Sequence, residues 1–156
     1  MGLEKPLPKL PVGAVIDADA LRAGLDALAQ ATPDMVLLRA EGLALIKAAF
    51  LKARAAVRAA VETQGLHGLA AAQTLSGLQD AIIQVIYDFA TRHIYSAQNP
   101  TAAERVTVVA TGGYGRGELA PGSDVDLLFI RPFKQTAWGE SVIEFILYML
   151  WDLGLR

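Results

Sequence analysis

The hydrophobic pattern divides the chain into two stretches of different character. Up to Pro100 apolar residues recur at helical spacing, whereas beyond it two short apolar runs read as strands before a helical pattern returns. Residues 1–16 read as an irregular lead-in, with prolines at 6, 8 and 11. Asp17 is placed to cap a short helix reaching about Ala31, with Leu21, Leu25 and Leu28 on one face. Thr32-Pro33-Asp34 breaks it, and Pro33 suits the first position of the next helix. That helix is predicted from about Asp34 to Gln64. Its apolar positions are Leu38, Leu45, Ala49 and Leu51, with Lys47, Lys52, Arg54 and Arg58 between them. Gly65 and Gly68 punctuate its end. A third helix is predicted from about Leu69 to Tyr95, buried through Leu75, Leu78, Ile82, Val85, Ile86 and Phe89, and Asn99-Pro100 ends the segment.

Val106 to Ala110 is short and β-branched, which suits a buried strand. Val125 to Ile130 reads as a second strand, stopped by Pro132. From Thr136 to Leu153 the pattern is helical again, carried by Val142, Ile143, Phe145, Ile146, Tyr148, Met149, Leu150 and Trp151. The predicted class is therefore α+β: N-terminal helices, then strand, loop, strand and helix. The expected division is 1–33 for the lead-in and short helix, 34–100 for a helical region, and 101–156 for the start of a mixed domain. A two-stranded sheet is marginal alone. The chain thus reads as stopping within a domain, and Arg156 is not expected to be a natural domain end.

Composition narrows the class. With 156 residues, 53% of them hydrophobic, the chain can bury a core of its own. A net charge of −2 lacks the basic excess of a general nucleic-acid binder, so no nucleic-acid partner is expected. There is no cysteine, hence no disulfide and no thiolate metal site, which fits a cytoplasmic protein. The first eleven residues have no apolar signal-peptide core, and no run is long and apolar enough to span a bilayer. No membrane partner is expected.

The chemistry concentrates between Gly112 and Leu128. Gly112-Gly113 is followed, after ten residues, by Asp124-Val125-Asp126, set among apolar positions. In an extended chain alternate side chains share a face, so Asp124 and Asp126 are expected to point one way while Val125 and Leu127 enter the core. Two neighbouring carboxylates repel unless a cation lies between them, and hard oxygen ligands select Mg²⁺, with Mn²⁺ as the other candidate. Gly112 and Gly113 let the backbone approach a phosphate, with their N–H groups as donors. Arg116 adds a charge for the same phosphates. Ser123 either bonds the loop backbone or touches a phosphate. Glu118 is expected to face away from a triphosphate.

The run Gly112-Gly113-Tyr114-Gly115-Arg116-Gly117-Glu118-Leu119-Ala120-Pro121-Gly122-Ser123-Asp124-Val125-Asp126-Leu127-Leu128 resembles the signature of the DNA polymerase beta-type nucleotidyltransferases. It is similar in particular to the bacterial PII uridylyltransferase/uridylyl-removing family. Tyr87 to Thr91, Asn99 to Arg105 and Trp151 to Leu155 carry the same resemblance, which covers roughly residues 35–156. The resemblance implies UMP transfer from UTP to a tyrosine of the PII protein, in the regulation of nitrogen metabolism. It also implies an HD hydrolase domain and glutamine-sensing ACT domains, which are absent from these residues, so glutamine is a partner only through them. Carried onto this sequence, it makes Asp124 and Asp126 the catalytic pair holding two Mg²⁺ ions for in-line attack at the α-phosphorus. Gly112, Gly113, Arg116 and Ser123 become the nucleotide-binding residues, and residues 101–156 become a partial nucleotidyltransferase domain.

One departure stands out. The superfamily uses a third carboxylate on a later strand, but the acids after Asp126 are Glu140, Glu144 and Asp152, all on the predicted helix. Little transferase activity is therefore expected of these residues alone. The alternatives are the related adenylyltransferase acting on glutamine synthetase, whose loop typically reads Gly-Lys-Leu-Gly-Gly, and a catalytically silent module. Outside the motif the structural readings prevail. His67 and His93 lack partners at metal-ligand spacing. Tyr87, Phe89, Tyr95 and Trp151 are core candidates. Lys47, Lys52, Arg54 and Arg58 read as a solvated face. Tyr114 either packs beneath the turn or contacts the nucleotide.

Overall fold

The computed structural model describes residues 9–155; the lead-in before Lys9 and the terminal Arg156 lie outside them. A single 3₁₀ turn, Val12–Ala14, precedes α1, Ala18–Ala31. Asp17 caps α1, its carboxylate accepting from the Ala20 N–H at 2.9 Å, and Leu21 and Leu25 are buried with Leu28 partly so, as the pattern predicts. Helix α2 spans Met35–Thr63. Pro33 is not its first residue. Asp34 takes the capping position, accepting from the N–H groups of Val36 and Leu37, and Pro33 stays outside the helix.

The buried stripe of α2 also differs from the predicted one. Leu38, Gly42, Ile46, Phe50, Ala53, Val57 and Ala60 face the core, whereas Leu45 and Leu51 are exposed. The spacing of three and four residues is helical in either reading, and only the neighbouring helices decide which stripe is covered. At Gly42 α2 comes close to its neighbour: a Cβ there would overlap the ring of buried Phe89.

Helix α3 spans Gly68–Phe89 and runs on as one π-helical turn, Ala90–Ile94, so the predicted third helix is one element with changed hydrogen bonding in its last turn. Leu78, Ile82, Val85, Ile86 and Phe89 are buried as expected, and Leu75 is partly covered.

Strands β1, Thr107–Ala110, and β2, Leu127–Ile130, pair antiparallel, with Ala110 opposite Leu127 and Thr107 opposite Ile130. One further bond, from the Thr111 N–H to the Asp126 carbonyl at 3.0 Å, closes the ladder. The second strand therefore starts at Leu127, two residues later than predicted, because Gly112 adopts φ +59° and turns the partner chain away. The stretch after Thr111 is not an open loop but one helical turn, α4, Gly112–Gly115. Helix α5, Ala137–Asp152, is capped by the Thr136 hydroxyl and buries Val142, Phe145, Ile146, Met149 and Leu150. Trp151 is not core: it is 58% exposed and stacks edge-on against exposed Tyr148.

Among the described residues, helices α1 to α5 and one face of the sheet contribute to the main apolar cluster, which runs from Ile16 to Leu153. Val108, Ala110, Leu127 and Phe129 turn that sheet face inward. The opposite face carries exposed Leu128 and Ile130. No helix among the described residues is long and apolar enough to cross a membrane.

Candidate nucleotide site

The site is assembled where the ladder ends. Gly112 and Asp126 come together because β1 and β2 are in register up to Thr111 and Asp126. A Cβ at Gly112 would stand 2.5 Å from the Asp126 Oδ2 and would push that carboxylate aside, and the φ of +59° favours glycine there on conformational grounds. Gly113 differs: its φ is not positive, and a Cβ would meet neighbours only at 3.6 Å and beyond. The first N–H groups of any helical turn have no acceptor within it, so those of Gly112 and Gly113 are left without an intrahelical partner.

Exposure alternates through the second half of the motif. Asp124 and Asp126 are exposed, while Val125 and Leu127 are partly buried against the core. This is the alternation that the sequence predicts, although extended pairing begins only at Leu127. Neither aspartate pairs with a Lys or Arg among the described residues. Two exposed, unneutralised carboxylates fit Mg²⁺, which takes one or two protein carboxylates and completes its shell with phosphate and water. No group of three or more potential metal ligands occurs among the described residues. Glu140, Glu144 and Asp152 all lie on α5, and Glu140 pairs with Arg131.

The remaining predicted ligands are placed as follows. Arg116 is exposed, and its guanidinium approaches Gly113 while pairing with Glu118 at 3.3 Å. Glu118 therefore does not simply face away; it neutralises the arginine expected to meet phosphate. Ser123 takes the loop-bonding alternative, its hydroxyl donating to the Ala120 carbonyl at 2.9 Å. Asp124 stands on the rim of a groove of about 870 Å³ walled by α2, α3 and residues 119–125. Gln79 lines this groove, almost wholly buried, and its side-chain nitrogen has no partner among the described residues.

Tyr114 packs beneath the turn. It is buried, and its hydroxyl donates to Asp80 of α3 at 2.6 Å. Burial, and next the bond to Asp80, push its pKa far above that of an ordinary phenol. Four residues earlier on α3, Ser76 accepts from the Leu119 N–H at 3.0 Å. Sequence reasoning did not single out Asp80 or Ser76. Their helical spacing is the only signal they carry, and it points to a partner that the sequence alone does not specify.

The residues set aside are structural here. His93 meets Asp26 of α1 at 2.7 Å, and the His67 ring lies against the Gly65 carbonyl. Tyr87 donates to the Val106 carbonyl, and the Tyr95 carbonyl accepts from the Trp138 indole. Lys47, Lys52, Arg54 and Arg58 are exposed, with Arg58 paired to Glu62.

With this geometry in hand, the comparisons with known proteins are specific. A family model described as glutamate-ammonia ligase adenylyltransferase matches residues 25–144. The bifunctional uridylyltransferase/uridylyl-removing enzyme of Bradyrhizobium sp. (strain BTAi1) is 52% identical over 141 residues, which is 90% of this chain and 15% of that protein. The enzymes of the same name from Phenylobacterium zucineum and Rhodopseudomonas palustris are 46% identical over 143 residues and 54% identical over 112 residues, covering 91% and 72% of this chain. The chain belongs to the bifunctional uridylyltransferase/uridylyl-removing enzyme family. The family-model match covers Gly112, Gly113, Asp124 and Asp126, so the candidate site lies within the region shared with the adenylyltransferases. The chain spans about 15% of the length of the first two of these curated relatives and 12% of the third. No solved structure matches it.

Proposed function

We propose that these residues form the nucleotide-holding part of a uridylyltransferase that transfers UMP from UTP to a tyrosine of the PII nitrogen-regulatory protein, in the cytoplasm. The observation that carries this reading is the closeness of Gly112 to the Asp126 carboxylate, which puts a turn whose first N–H groups have no acceptor within it beside an acid that no Lys or Arg neutralises among the described residues. Gly112 and Gly113 hold phosphate oxygens through their N–H groups. Arg116 exchanges Glu118 for the triphosphate, a charge-assisted contact in either state. Ser123 keeps the loop before Asp124 closed. Asp124 and Asp126 hold Mg²⁺, which when bound offsets charge on the triphosphate and on the leaving pyrophosphate. The chain's own contribution is to position the nucleotide beside the Gly112 backbone, where no side chain stands between phosphate and main chain. No third carboxylate joins Asp124 and Asp126 among the described residues, so these residues alone are expected to transfer little UMP.

The family-model match favours one rival, adenylyl transfer to glutamine synthetase. The loop, Gly-Gly-Tyr-Gly-Arg-Gly where the adenylyltransferases typically read Gly-Lys-Leu-Gly-Gly, and the shared name of these three curated relatives support uridylyl transfer instead. The natural gene product should be incubated with Mg²⁺ and α-labelled UTP or ATP, in the presence of PII or glutamine synthetase. Label passing from UTP to a PII tyrosine is the expected result. Label passing from ATP to glutamine synthetase would reverse the assignment, and no transfer from either would leave a silent module.

A further inference from the structure

We propose that Tyr114 and Asp80 form a positioning pair through which α3 sets the orientation of the phosphate-binding turn. The inference rests on the nucleotide-site reading above. Helix α4 is a single turn and cannot fix its own direction by length. Its surroundings do so. Tyr114 sits between Gly113 and Gly115, its ring is buried, and its hydroxyl donates to Asp80 at 2.6 Å. Beyond the turn, the Leu119 N–H donates to Ser76. Ser76 and Asp80 lie four residues apart, on one face of α3, so the helix grips the segment at two points. At Gly115 a Cβ would stand 2.7 Å from the Ala110 carbonyl, which leaves the turn little room to shift against β1. The amides of Gly112 and Gly113 thus take their direction from a helix that precedes the strands and carries none of the predicted ligands.

The Tyr114–Asp80 bond is the contact whose loss separates positioning from folding. Asp80 is exposed, so Tyr114→Phe leaves its carboxylate free to hydrate, and the ring remains buried. Ser76→Ala, by contrast, would strand the N–H of buried Leu119. The test uses the natural gene product and Mg²⁺–UTP. Tyr114→Phe and Asp80→Ala are each expected to raise both the Kd and the KM for UTP about tenfold, because small displacements of a positioning group are costly. The melting temperature should change little for Tyr114→Phe, whereas Asp80→Ala leaves the buried Tyr114 hydroxyl without its acceptor and should lower it; kcat should change little in either. The double variant should be no weaker than either single one, and Asp80→Asn, which keeps an acceptor oxygen, should bind within about twofold of wild type. A loss of melting temperature with an unchanged Kd would make the pair structural only and overturn the proposal. Asp126→Asn serves as the reference. If it abolishes binding while Tyr114→Phe does not change it, the pair is wrong and the site reading stands. If it too leaves binding unchanged, or if wild type does not bind, the site reading fails and the pair fails with it.

Discussion

At the scale of single residues, the glycines of the motif are not interchangeable. Gly112 combines φ +59° with a Cβ position that collides with Asp126, so Gly112→Ala strains the backbone and displaces the carboxylate. We predict a loss of at least about 1 kcal/mol of stability for Gly112→Ala, read from urea unfolding midpoints. Gly113 separates folding from binding. A Cβ there finds space in the free protein, so Gly113→Ala should unfold at nearly the wild-type urea concentration. Where phosphate is to lie against the Gly113 backbone, the same methyl group occupies its place. Titration with Mg²⁺–UTP should therefore show a large loss of affinity for Gly113→Ala, about tenfold or more if the crowding costs 1.4 kcal/mol. Unchanged affinity would place the phosphates elsewhere. The alternation was legible beforehand: Asp124 and Asp126 are exposed and Val125 and Leu127 partly buried, as the sequence pattern predicts. The orientation of Tyr114 was not. A tyrosine between glycines fits under a turn as well as over a base, and only Asp80, 34 residues away, decides between them.

At the scale of elements, one cap and the short strands were legible and helix faces were less so. The Asp17 cap was legible because a side chain that satisfies the first N–H groups leaves a local signature, whereas at α2 the sequence places Pro33 first in the helix and the structure makes Asp34 the cap. The face of α2 was obscured because alanine and leucine recur on several sides of it, so the period was clear and the phase was not. The helical turn at Gly112 was hidden for a different reason: glycine-rich sequence favours no helix, and the turn persists through its contacts with β1 and α3. Two changes check this level. Asp34→Ala should cost about 1 kcal/mol in unfolding free energy, the usual loss for an N-cap carboxylate. Gly42→Ala should cost about 1–3 kcal/mol by overpacking against Phe89, despite the better helix propensity of alanine. A stabilised Gly42→Ala protein would show that α2 and α3 do not approach so closely.

At the scale of the whole molecule, the helices are the platform on which the site is built. Tyr87 bonds to Val106, Trp138 to Tyr95, Asp80 to Tyr114 and Ser76 to Leu119, and one apolar cluster underlies them all. The sheet is covered on one side only. Leu128 and Ile130 lie half-exposed on its other face, and Phe133 is fully exposed nearby in sequence. An apolar sheet face of this kind promotes association. Residues 1–156 alone should therefore self-associate with rising concentration in sedimentation velocity, and a Leu128→Lys, Ile130→Lys variant should remain monomeric at concentrations where the parent does not. The central claim, however, is that Asp124 and Asp126 hold the metal through which a nucleotide triphosphate binds at Gly112 and Gly113. Calorimetric titration of UTP into the natural gene product, with and without Mg²⁺, tests it most directly when paired with the Asp124→Asn, Asp126→Asn double variant. The account predicts Mg²⁺-dependent binding that the double variant loses while it still folds. Equal Mg²⁺–UTP affinity in the wild type and the double variant would contradict it.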